Sequence, residues 1–212
     1  MSIKILRNTY LGFIFISFLG FSQEIIYDKK IEKLTSLEFS NLSNLYYKFI
    51  NSEKDQANVY AQAYLAKSKD KNDNLNKIKG YRMVGVSLGN NKGLKFLDSA
   101  LVLAKENFLH SWYEGFISYD KGTILYNKRK FKKAIDNFIL ANKEARRFNF
   151  SDLLYDSNYM IAILTDRIGN HYDAIKIHQE FLNNNRGHKI GKKDSIRYLR
   201  TLFGLAVAQY KL

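Results

Sequence analysis

Apolar residues recur along this chain at three- and four-residue intervals. Ala134, Phe138, Ala141 and Ala145 form one such set, and Ile117, Ile124, Leu125 and Phe131 another. That period lines one face of an α-helix. No sustained period-two alternation bounded by hairpin turns occurs, so strands are not predicted. Polar and Gly/Asn clusters punctuate the pattern at Lys69 to Asn76, Gly89 to Gly93, Asn127 to Lys130, Gly169-Asn170 and Asn183 to Gly191. These fit turns between helices. The pattern predicts roughly eight to ten helices of about 12–20 residues, joined by short turns. No Pro- or Ser-rich linker interrupts it, so one continuous all-α architecture is expected.

The helices repeat. In Ser118 to Ala145, small residues stand at Gly122, Ala134 and Ala141, with Phe131 and Phe138 between them. Two antiparallel helices cross closely only where the contact residues are small, and the phenylalanines then fill the wedge. A second copy has Ala162 as the small residue, Gly169-Asn170 as the turn and Ala174 in the next helix, with Phe181 where the last alanine would stand. A third, upstream, runs from Gly85 and Leu88 to Leu97, Leu101 and Ala104. Ala63 to Lys67 is an earlier echo. A last partial copy, Leu205 to Leu212, aligns with Ile161 to Ile168 and centres on Ala206.

The motif from Gly122 to Ala141 resembles the tetratricopeptide repeat (TPR) family, with Leu125 where an aromatic is commoner and Arg146 near the usual proline. The resemblance covers residues 44–212 as about four repeats and a truncated fifth. The first small residues, at 85, 122, 162 and 206, are spaced more widely than the family period of about 34, which implies longer helices or turns. The resemblance implies an α-solenoid of antiparallel helix pairs, a right-handed superhelix whose concave face is lined by first helices. Carried over residue by residue, its groove positions are Arg82 and Val86; Tyr119, Thr123 and Tyr126; Tyr159, Ile163 and Asp166; and Phe203, Val207 and Tyr210. Several tyrosines in one groove suit a peptide or extended segment; packing between repeats is the competing reading. The Lys/Asn carboxylate clamp of chaperone-binding TPRs is not reproduced.

The 212 residues contain no proline and no cysteine. Without cysteine there is no disulfide, thiolate metal site or cysteine nucleophile. Without proline the strongest helix breaker is missing. The net charge of +14 raises nucleic acid, an anionic membrane or an acidic partner. The cations are spread, with local clusters at Lys128, Arg129, Lys130, Lys132 and Lys133 and at Arg186, Lys189, Lys192 and Lys193. A solvated surface is the simpler reading of both.

Residues 1–22 read as a secretory signal peptide: Lys4 and Arg7 precede the apolar run Thr9 to Phe21, and Gly20-Phe21-Ser22 is a small-x-small site. Cleavage is expected after Ser22. The alternative is an uncleaved inner-membrane anchor, although the run is short of the roughly 20 residues a spanning helix needs. A helical lead-in is expected over residues 23–43. The chain is thus expected to be exported to the periplasm.

Candidate chemistry is sparse. His110, His171, His178 and His188 do not offer three or four converging zinc ligands, and His171 falls in a predicted turn. Gly85, Gly89 and Gly93 fit no phosphate-binding motif and read as turn glycines. No nucleophile elbow is present, and Asp152 and Asp156 read as solvated. Trp112 is expected to pack between repeats. Neither catalysis, cofactor nor metal is expected. Exported irregular repeats of this kind resemble the sensory halves of bacterial histidine kinases and helix-turn-helix regulators. Because Leu212 falls inside a first helix, further repeats are expected beyond it. The expected function is therefore protein or peptide binding, with no nucleic acid; the alternative is a basic surface for a polyanion or membrane.

Overall fold

The computed structural model describes residues 28–107, 110–184 and 192–212. All regular structure in them is helical. Residues 28–34 form α1. Then follow α2 (Phe39–Phe49), α3 (Lys54–Asp70), α4 (Asn74–Leu88), α5 (Asn91–Glu106), α6 (Tyr113–Asn127), α7 (Phe131–Arg147), α8 (Ser151–Arg167), α9 (His171–Asn184) and α10 (Lys192–Tyr210). The signal segment and the clustered Arg186, His188 and Lys189 lie outside the described residues. The chain divides into two compact units between Leu88 and Gly89. Within each, consecutive helices joined by short turns pack as antiparallel neighbours, so the fold is an all-α solenoid of helix pairs.

In the first unit α3 packs on both α2 and α4. The tight crossing is at Gly80, where an added Cβ would lie 2.8 Å from the Leu65 Cα. Lys67 is buried on α3, yet its Nζ donates to the carbonyls of Thr35 (3.0 Å) and Leu37 (2.7 Å). One cation thereby supplies donors to the turn that follows α1.

In the second unit each of α5 to α10 packs on the next, and α6 also meets α8, and α8 meets α10. Phe138 is the largest wholly buried side chain. It lies against Gly122, with Ala134 and Ala141 buried on the same helix. The three turns from α6 to α9 are alike. Arg129, Asn149 and Gly169, at φ +56°, +57° and +92°, each end a helix in the left-handed conformation. Each turn closes with a bond reaching back five residues, Lys130 N–H to Leu125 O (2.9 Å), Phe150 N–H to Ala145 O (2.9 Å) and Asn170 N–H to Thr165 O (3.0 Å). Between Gly122 and Ala162 the wide spacing comes from long helices, α7 being 17 residues, because the turns on either side of it are only three residues each.

Several sequence expectations need correction. The copy read from Gly85 to Ala104 straddles the two units, with Gly85 on α4 in the first and Leu97, Leu101 and Ala104 on α5 in the second. Of the three glycines read as turn residues, only Gly89 has a positive φ (+58°). Gly85 and Gly93 are buried inside helices. His171 opens α9 instead of lying in the turn. In α10 the buried small residues are Gly204 and Ala208, and Ala206 is exposed. Gly204 makes the close approach, its added Cβ falling 2.6 Å from His178 Nε2. The register of α10 is thus two residues earlier than the repeat alignment implied, because the close approach to α9 is made by Gly204 against His178 and not by Ala206.

Candidate functional site

The expected groove residues fall in different places. Arg82 lies on α4 of the first unit, half-buried, as does Val86. The others belong to the second unit, on α6, α8 and α10, the alternate helices that approach one another. Tyr119, Thr123 and Tyr126 are half-buried on α6. Thr123 Oγ1 donates to the Tyr119 carbonyl at 3.0 Å, so its hydroxyl is engaged within its own helix. The Tyr126 ring lies 6.2 Å from Phe131, and the Arg167 guanidinium stands 5.3 Å from the first and 5.4 Å from the second. On α8, Tyr159 stacks with Tyr155 at 6.1 Å, and Ile163 is half-buried. On α10, Phe203 and Tyr210 are 70% and 92% exposed, and Val207 is half-buried.

Asp166 has a different environment from a groove ligand. It is buried on α8, accepting from His171 Nδ1 at 2.7 Å and from Lys211 Nζ. Burial works against its ionisation, but the bonds from Lys211 and His171 outweigh burial and hold the carboxyl below its usual range. It ties the end of α8 to the start of α9 and the end of α10.

The centre of the face is Tyr119. Its ring meets Phe138 edge-on at 5.2 Å. Burial, reinforced by the Asp156 and Asp120 carboxylates and opposed by Arg200, pushes its phenol up to about 12. The hydroxyl therefore stays protonated and can donate. Asp156, Arg200 and Tyr155 share this electrostatic neighbourhood, since burial raises Tyr155 too, and Tyr159, Arg200 and Asp156 act on it. Sequence reasoning missed Arg200 and Tyr155 and read the two α8 carboxylates as solvated. Asp152 is exposed as expected, though also paired with Arg197 at 2.6 Å, whereas Asp156 is half-buried and acts on Tyr119. The signal lay in the seven-residue step from Asp152 to Tyr159, a helical face shared with Asp156, but the partner helix is not visible in sequence.

A narrow cleft lies nearby, lined by Tyr155, Asn158, Tyr159, His178, Phe181 and Thr201 among others. It has room for no more than about one water molecule, far less than an ordinary ligand pocket offers. His178 is buried there, and its Nε2 has no hydrogen-bond partner. Burial pushes its pKa down, against the pull of Asp166. Among the described residues, no group of three or more His, Cys, Asp or Glu is placed to hold a metal ion. Trp112 stacks on Tyr113 at 3.9 Å and lies 5.9 Å from Phe150 at the head of α8, joining successive helix pairs. No family model matches the chain, and no curated protein matches it.

Proposed function

We propose that this chain is a TPR-like, non-catalytic interaction module that binds an extended peptide across α6, α8 and α10, as the sensory or scaffold part of an exported bacterial signalling protein. The observation that carries the binding reading is the mixed neighbourhood of Tyr119, Asp156 and Arg200, one residue from each of these three alternate helices. A half-buried phenol that remains a donor, a carboxylate and a guanidinium together match the alternating donors and acceptors of a peptide backbone. Tyr159, beside Tyr155, adds an aromatic surface of the kind enriched at recognition sites. Export rests on residues 1–22 alone. Among the described residues no helix is long and apolar enough to cross a membrane.

The test is selection of peptides from a displayed random library on the immobilised chain, followed by titration of the selected peptide against Arg200→Ala and Asp156→Asn. Both side chains can be altered without opening the Phe138 core. A loss of about tenfold or more in affinity for each is expected, in line with the roughly 1.5–3 kcal/mol of a hydrogen bond to a charged group. Unchanged affinity in both variants would remove the face from consideration.

A further inference from the structure

The opposite side of the second unit carries a second surface. The outward stripe of α7 runs through Lys132, Lys133, Asp136, Ile139, Leu140 and Lys143, and ends at Arg146 and Arg147. At mid-helix Ile139 and Leu140 are 50% and 51% exposed, side by side. One to two turns away on either side stand cations, at a rise of about 1.5 Å per residue. The preceding turn adds Lys128, Arg129 and Lys130. Among the described residues the only acid paired with this set is Glu144, which meets Arg147 at 3.3 Å.

This concentration is not the chain's general basicity. The corresponding exposed stripe of α9 carries Asp173, Lys176 and Glu180, and that of α5 alternates Lys92 and Lys95 with Asp98 and Lys105 with Glu106. Unlike α5 and α9, α7 combines a nearly uniform positive charge with an adjacent exposed apolar pair. A soluble acidic polymer would satisfy the cations and leave Ile139 and Leu140 in water. The interface of a bilayer rich in anionic phospholipid takes both at once: headgroups meet the lysines and arginines while the apolar pair enters the acyl boundary. We infer that the outward face of α7 docks on an anionic phospholipid surface, with Ile139 and Leu140 as the inserted pair and Lys132, Lys133 and Lys143 as headgroup contacts. The inference is independent of the peptide-binding face, which lies on the other helices of the unit.

The absence of cysteine makes the test clean, because one introduced thiol is unique. An environment-sensitive fluorophore is attached to the full chain at Ile139→Cys, at Leu140→Cys and, as a control on α9, at Gln179→Cys. Each is mixed with phosphatidylglycerol/phosphatidylcholine vesicles, with phosphatidylcholine vesicles and with soluble polyglutamate. Docking predicts a blue shift and quenching by a lipid-borne nitroxide at 139 and 140 with the anionic vesicles only, and neither change at 179. Reading the probe locally separates this contact from any made by the apolar run at residues 9–21. Replacing Lys132 and Lys133 by Gln should raise the lipid concentration for half-maximal shift about 30-fold, roughly fivefold per cation removed. An unchanged probe at both α7 positions, an equal response at 179, or an equal response to neutral vesicles overturns the inference. Binding of polyglutamate without response to anionic vesicles does so too, and identifies a soluble acidic partner instead.

Discussion

Gly122→Ala is the sharpest probe of the helix packing. The added methyl would lie 2.8, 2.9 and 3.0 Å from the Cε1, Cδ1 and Cζ atoms of Phe138. Ordinary contact begins about half an ångström further out. Phe138 has no solvent to retreat into, and its ring is backed by Tyr119 at 5.2 Å. Overpacking of this kind costs about 1–3 kcal/mol. Alanine recovers roughly 1 kcal/mol over glycine inside a helix. The net expectation is a loss of about 1 kcal/mol. A cycle with Phe138→Leu isolates the clash. That change alone should cost about 1–2 kcal/mol. With the ring gone, Gly122→Ala should turn stabilising by up to about 1 kcal/mol, a coupling near 2 kcal/mol. Urea unfolding followed by Trp112 fluorescence measures all four proteins, since the chain's one tryptophan sits in the same unit. If Gly122→Ala stabilises the parent chain, or the two changes add to within about 0.5 kcal/mol, the close approach of α6 and α7 is wrong.

Further outcomes follow from the same geometry. Arg129 holds φ +56°, so Arg129→Gly should stabilise the chain by about 1 kcal/mol in the same urea assay. Lys67→Met should destabilise it by about 2 kcal/mol, because the carbonyls of Thr35 and Leu37 lose a charged donor; faster amide exchange over residues 28–49 would locate the loss. His178 is held neutral by burial, its folded pKa below the unfolded value of 6.5. The unfolded chain therefore takes up a proton first as pH falls, and stability should decline from about pH 6.5 downwards until the folded pKa is reached. His178→Gln should flatten that part of the profile, and an unchanged slope between pH 7 and 5 would show that the imidazole is not the titrating group.

The helices and their turns were legible in sequence because both arise from local chemistry. The three-four spacing around Phe138 and the Gly/Asn clusters each act within one turn of chain. Gly122 was also legible, since a lone glycine twelve residues before Ala134 has few other reasons to be there. Gly204 was not. Ala206 is nearly as small and fits the spacing, and choosing between them depends on where the His178 ring falls on the neighbouring helix. Asp156 and Lys67 were missed for a related reason. A charged residue on a helix reads as solvated unless the group it acts on is visible, and Tyr119, on which Asp156 acts, and the Thr35 carbonyl lie 37 and 32 residues away. The division at Leu88 was hidden because no change of composition marks it.

The packing described for each unit joins only helices that are consecutive or one apart. Partners lie at most two helices along the chain, so the entropy of loop closure is modest at every step. Low contact order of this kind goes with rapid folding, and any adjacent helix pair can serve as the starting point. Assembly can therefore keep pace with the chain as it emerges, each new helix finding its surface already formed by the one before.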